Sequence, residues 1–223
     1  MAEDRDDSDP GTEPLKALFA RHGRQERPAL AEIEAHWREL KARSFHLPHR
    51  ADLDPSRIAG ALPHAFVLER AAPGVARLRI VGRALSTLLG TEARGLPLSV
   101  FFAPGSRESL RRWLERCFDA PAIVELAAEA RQGVFRTPLS GRLLLLPMLD
   151  RDGQVTRALG GFVVQGTKRA SIVKFDLAES PSRFQVLPLA APLGFPVAKA
   201  AVAPEFAESH RPYLRLVVDN SRS

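Results

Sequence analysis

Two hydrophobic periods alternate along this chain, one of two residues and one of three to four, and the order in which they appear predicts its elements. From Pro28, the apolar residues Leu30, Ile33, Trp37 and Leu40 recur at three- and four-residue spacing, with Glu34 and Arg38 placed to pair one turn apart. That pattern predicts an amphipathic helix over residues 28–43. Its stripe can lie on a sheet of its own domain or form a seam with a second copy. Residues 44–63 lose the period. Pro48, Pro55 and Pro63 mark a connector, and Asp54 ahead of Pro55 predicts one or two capped helical turns that close before Pro63. Ala65 to Glu69 and Val75 to Val81 then read as two strands joined by the turn chemistry of Ala71-Ala72-Pro73-Gly74. Unbroken alternation places Ala76, Leu78 and Ile80 on one face of the second strand, with Arg77 and Arg79 on the other. Gly82 ends that strand. Leu85, Leu88 and Leu89 follow at helical spacing, and Gly90 stops the short helix as a left-handed cap.

The second half repeats the same logic. Leu96 to Phe102 carries Leu98, Phe101 and Phe102, and Pro104-Gly105-Ser106 opens the clearest helix of the chain. There Leu110, Trp113, Leu114, Cys117 and Phe118 share a face opposite Glu108, Arg111, Arg112, Glu115 and Arg116. Three strands are expected at Ile123 to Ala130, Arg142 to Leu149 and Ala158 to Gln165, the last two joined by the hairpin turn Asp150-Arg151-Asp152-Gly153. Beyond Lys168 the pattern stops. Pro181, Pro188, Pro192, Pro196, Pro204 and Pro212 break an Ala-rich extension, residues 169–223, in which only Phe184 to Leu189 and Tyr213 to Val218 look like short strands.

Composition adds bounds. A length of 223 residues, with 45% hydrophobic and 26% charged, suits one globular domain with flanking segments. Residues 1–27 form a polar, acidic-first stretch expected to be a disordered tail, without the basic-then-apolar order of a signal peptide. The longest apolar run, Leu143 to Leu149, is interrupted by Pro147 and falls far short of the roughly 20 residues a membrane helix needs. Cys117 is the sole cysteine, so no intrachain disulfide can form, which fits a reducing cytoplasm. The formal charge of +6 raises a nucleic-acid-binding regulator as the alternative function, but the arginines are scattered among glutamates and no recognition-helix or zinc-finger pattern accompanies them.

Strand, hairpin turn, strand closing on Gly82, and a short Leu-bearing helix closing on Gly90 resemble the entry to a PAS domain. Leu47-Pro48-His49-Arg50-Ala51-Asp52-Leu53-Asp54-Pro55 and Leu62-Pro63-His64 are similar to a bacterial family of small stand-alone PAS-like proteins. The resemblance implies an α+β fold over residues 44–168: a PAS-like five-stranded antiparallel sheet with helices on one face. The N-terminal amphipathic helix and an irregular Pro-rich C-terminal extension would flank it. It also implies a sensory and regulatory protein acting through a protein partner, with no output domain of its own. Self-association through the N-terminal helix and a small apolar ligand between sheet and helices are further expectations.

The candidate sites follow. By alternation the cavity would be lined by Phe66, Leu68, Leu78, Ile80, Leu88, Leu89, Phe101, Trp113 and Phe162. The motif residues Arg50, Asp52, Asp54, Pro55, Pro63 and Gly82 are expected to be structural, the carboxylates capping a turn and Arg50 pairing with one of them. Cys117, on the apolar stripe of the long helix, reads as a small buried hydrophobe. His36, His46, His49 and His64 lack metal-ligand spacing, so no metal is expected, and neither haem nor flavin. There is no Gly-x-Ser-x-Gly elbow, no Gly-rich phosphate loop and no His-Glu-x-x-His, so a non-enzymatic role is expected.

Overall fold

Helix α1 (Pro28–Ala42) forms where the spacing placed it, in a computed structural model that describes residues 28–131, 138–166 and 173–188. The expected N-terminal tail and the strand expected at Tyr213–Val218 lie outside the described residues. Leu30, Ile33, Trp37 and Leu40 are all buried. The Trp37 indole N–H donates to the Pro147 carbonyl at 3.0 Å, so the large ring is buried with its donor satisfied. Leu30, Ile33 and Trp37 pack in one core with side chains of the sheet.

Strands β1 (Ala65–Ala72) and β2 (Val75–Val81) make the expected hairpin, with Gly74 at φ 67 in its turn. Helix α2 (Arg83–Leu89) ends on Gly90 at φ 79, whose N–H donates to Ser86 at 2.8 Å. Helix α3 (Arg107–Asp119) buries Leu110, Leu114, Cys117 and Phe118. Strands β3 (Ala122–Ala130), β4 (Leu139–Met148) and β5 (Arg157–Gln165) complete the expected five. All pairings between strands are antiparallel, in the order β2-β1-β5-β4-β3.

Both faces of this sheet are covered. On one, Val124, Leu126, Leu143, Leu145 and Phe162 pack with α2, α3 and the short helical turn Leu98–Phe101. On the other, Ile123, Leu144, Leu146, Met148 and Leu159 pack with α1 and with Leu47, Ile58 and Ala61 of the connector. That is why β4 reads as an almost unbroken apolar run, since successive side chains enter two different cores. The neighbours Gly160 and Gly161 serve the two sides. A Cβ on Gly160 would lie 2.4 Å from the Phe66 ring, and one on Gly161 would lie 2.6 Å from Leu30. Glycine there lets a ring lie flat on one face and α1 approach on the other.

The structure departs from the alternation rule in β2. Val67 pairs with Ile80 and Leu68 with Leu78, so Arg79 is an extra residue, a β-bulge. The bulge reverses the facing beyond it. Ala76 and Leu78 are buried as expected, but Ile80 is 48% exposed on the opposite side of the sheet from the expected cavity.

The segment after Lys168 is ordered where it is described. Strands β6 (Asp176–Leu177) and β7 (Arg183–Val186) both pair with β3, making a seven-stranded sheet among the described residues. Phe175 is fully buried and is held to the turn before α3 by backbone bonds of 2.9 Å in both directions. The core therefore continues past residue 168, and the extension is not irregular over residues 173–188. Among the described residues no helix is long and apolar enough to cross a membrane.

Candidate functional site

Phe66, Leu68, Leu78, Leu88, Leu89, Phe101 and Phe162 come together on the helix side of the sheet, but as core. The Phe162 ring lies 6.0 Å from Phe101, 5.7 Å from Phe102 and 5.2 Å from Phe175, centroid to centroid. Such tilted and edge-on rings at these separations leave their own π-faces as the packing surface. Trp113 is only partly buried against this core, its ring tilted against Phe184 at 5.6 Å, and its Nε1 has no partner among the described residues. Cys117 is fully buried in the same core, and burial pushes its thiol up to about 12, so it remains a protonated hydrophobe.

A hollow opens instead on the α1 side of the sheet, and the connector motif builds its wall. Asp52 accepts the His49 N–H at 3.1 Å, closing the turn Arg50–Asp52. Asp54 accepts from the Ser56 N–H at 2.9 Å and from the Ser56 hydroxyl at 2.7 Å, capping the turn Pro55–Ile58. These Ser56 bonds, side chain first, hold the Asp54 carboxyl below its ordinary range. The Asp54 N–H donates to Nε2 of the buried His36 at 3.3 Å, tying the motif to α1. Pro63 and Gly82 meet at the next corner. A Cβ on Gly82 would lie 2.2 Å from the Leu62 carbonyl oxygen and 2.3 Å from that of Pro63, so only glycine admits this contact.

Between these walls runs a groove of about 580 Å³. Val67, Ile80 and Leu159 lie along it, Ile58 and Leu62 flank it, and Arg50, Asp54, Pro55, Pro63 and Gly82 all contribute to its lining. Five of the six motif residues thus converge on one open surface, while Asp52 supports it from behind. The carboxylate roles match the sequence expectation. The arginine role does not: Arg50 is exposed and has no ion-pair partner among the described residues, because both neighbouring carboxylates are engaged in caps.

Past Arg50 the groove continues into a second, polar hollow of about 440 Å³ that shares Arg50, Ala51 and Val67 with the first. Glu69 lies there, bonded to Arg79 and, at 2.7 Å, to Arg157. Burial on its own raises the Glu69 pKa, but the two arginines outweigh it and hold the carboxyl below its ordinary range. Asp150 is occupied by its own hairpin turn, accepting from the Asp152 and Gln154 N–H groups at 2.9 and 3.0 Å and from the Thr156 hydroxyl at 2.5 Å.

Sequence reasoning did not place Val67, Leu159, Leu62 and Arg83 at a site. The available signal was Leu62 beside the Pro63–Gly82 corner; the bulge that turns Ile80 outward leaves no trace in the hydrophobic period. His46 and His49 stack edge-on at 5.3 Å, and among the described residues no group of three or more His, Cys, Asp or Glu is placed to hold a metal.

The sequence matches the family model described as PAS domain over residues 25–163. No curated protein matches the chain. Among solved structures, a light-oxygen-voltage domain studied with a flavin analogue shares 16% identity over 50% of this chain and 83% of its own, with a TM-score of 0.35. The light-state LOV domain of the blue-light photoreceptor Aureochrome1 shares 13% over 52% of this chain and 90% of its own, with a TM-score of 0.35. An RNA-binding light-oxygen-voltage receptor shares 18% over 52% of this chain and 35% of its own, again with a TM-score of 0.35. At these scores the three carry no weight for the site.

Proposed function

The chain belongs to the PAS domain family, and from that premise we propose that it is a non-enzymatic, cytoplasmic sensory and regulatory protein whose working surface is the groove beside Arg50. It relays its signal by contact with a protein partner. The observation that carries this reading is the convergence of Arg50, Asp54, Pro55, Pro63 and Gly82 on an open apolar groove, with Leu62 and Ile80 left 38% and 48% exposed on it. A surface of apolar side chains rimmed by charge suits a protein contact. The helix side of the sheet offers less, because aromatic rings occupy it.

A nucleic-acid role gains little support. Arg38, Arg70, Arg79, Arg111, Arg142 and Arg183 each have a carboxylate within 4.0 Å, which offsets their attraction for phosphate.

Cross-linked capture from the native cell, comparing wild type with Ile80→Glu, tests the reading. Ile80 is half exposed, so the variant is expected to melt with the wild type and to lose a partner that the wild type captures. Identical capture by both proteins would overturn the assignment of the groove.

A further inference from the structure

Arg50 stands at the junction of two hollows of opposite character, and its charge is unanswered. On one side lies the apolar slot floored by Val67, Ile80 and Leu159; on the other lies the polar hollow of Glu69, Arg79 and Arg157. The carboxylates within reach are already committed. Asp52 and Asp54 cap the connector turns, Glu69 is shared by Arg79 and Arg157, and Asp150 holds its hairpin. Arg151 and Asp152 lie exposed on the same polar hollow. Of the arginines, Arg50 alone borders both hollows, with no ion-pair partner among the described residues, at the mouth of an apolar slot whose volume lies within the range of small-molecule sites; Arg83 on the slot and Arg151 on the polar hollow are likewise exposed and without an ion pair among the described residues.

We propose that this continuous hollow binds a single-chain amphiphilic anion, a long-chain carboxylate, whose alkyl chain lies along Val67, Ile80 and Leu159 and whose head group pairs with Arg50. A guanidinium matches a carboxylate through two parallel N–H donors, a stronger contact than a neutral hydroxyl can make. The apolar slot supplies what the head cannot, burial of the chain. Seated there, the ligand covers Leu62 and Ile80, the residues through which the groove would meet a partner. The proposal thus rests on the functional reading above and gives it a signal: occupancy masks or reshapes the contact surface.

The test is calorimetric titration of the full-length, delipidated protein with saturated carboxylates from octanoate to myristate, and with the alcohols of the same chain lengths. Carboxylate affinity is expected to rise about fourfold per added methylene until the slot is filled. Carboxylates should bind at least about tenfold more tightly than the matching alcohols. Arg50→Gln, at an exposed position, should erase that head-group preference and leave alcohol affinity unchanged, while Ile80→Asp should abolish both. Absence of binding at every chain length, equal affinity for carboxylate and alcohol, or an unaltered preference in Arg50→Gln would each overturn the proposal. Partner loss by Ile80→Glu with no amphiphile bound by the wild type would leave the groove as a protein-contact surface and remove the ligand. Carboxylate binding with the stated preference, beside undiminished partner capture by Ile80→Glu, would keep the ligand and remove the protein contact.

Discussion

Replacing Gly82 by alanine sets two effects of opposite sign against each other. Gly82 has φ −67 and ψ 148, a conformation that alanine adopts freely. On backbone grounds alone the substitution would stabilise the protein by about 0.4–1 kcal/mol, by narrowing the unfolded ensemble. Space reverses the sign. The new Cβ would sit 2.2 Å from the Leu62 oxygen and 2.3 Å from the Pro63 oxygen, and these are backbone atoms of a turn pinned by the His64 N–H to Ala61 bond at 2.9 Å and the Gly82 N–H to Ala65 bond at 2.8 Å. A clash with backbone cannot be relieved by a rotamer change, so the cost lies at or above the ~1–3 kcal/mol typical of overpacking. The net expectation is a loss of about 1–2 kcal/mol, which lowers the melting temperature by about 2–8 °C in a domain of this size. Scanning calorimetry of Gly82→Ala beside Arg83→Ala, its exposed neighbour, measures the difference. A melting temperature equal to or above that of the wild type would refute the claim that the Pro63–Gly82 contact builds the corner of the groove.

Two further outcomes follow from the same structure. His36 is buried, accepts the Asp54 N–H and has its pKa lowered below 6.5, chiefly by desolvation, with Arg57 and Arg43 acting the same way and Glu39 and Asp54 opposing. Its contribution to stability is complete above pH 6.5 and is lost as the pH falls through that value toward the lower folded-state pKa, because the unfolded chain takes up the proton first. Urea midpoints should therefore drop on acidification, and the drop should shrink in His36→Gln; an undiminished slope in the variant would contradict this. Phe175→Ala removes a fully buried ring from the aromatic cluster and should cost about 3–5 kcal/mol, read as a lower denaturation midpoint; a neutral result would mean that the core ends before residue 173.

The sheet, the helices and their caps were legible in the sequence because each depends on local rules. Pro73-Gly74 fixes a hairpin, Gly90 stops a helix at positive φ, and the spacing of Leu30, Ile33, Trp37 and Leu40 sets a stripe. The bulge at Arg79 was not legible. Its effect is a change of parity, and a strand of mixed valines, isoleucines and arginines reads equally well in either parity from one side of the break. The role of Phe175 was hidden for a related reason. A two-residue strand such as β6 has no period to detect, and its place is set by β3 and by the Phe101–Ala103 backbone rather than by its own sequence. Arg50 was misread because an arginine between two aspartates suggests a pair, whereas the nearest unsatisfied N–H groups claim both carboxylates first.

The adjacent glycines of β5 connect the filled face to the open one. Gly160 lets Phe66 lie against the sheet, in the same core as Phe101, Phe102, Phe162 and Phe175. Gly161 lets Leu30 and Ile33 of α1 come down on the opposite face, while two residues upstream Leu159, in the same core as α1, also lines the groove beside Val67. The connector cannot close that gap, because Asp54 ties it to His36 on α1 at one end and Gly82 admits Leu62 and Pro63 at the other. It bridges the slot at its margins and leaves the middle uncovered. A bulky residue at position 160 would push the Phe66 ring away and reopen the helix side, but it would also meet the Leu144 carbonyl at 2.6 Å and disturb the β4–β5 ladder. The sequence is therefore committed to one arrangement, with aromatic packing on the helix side and an apolar slot on the other.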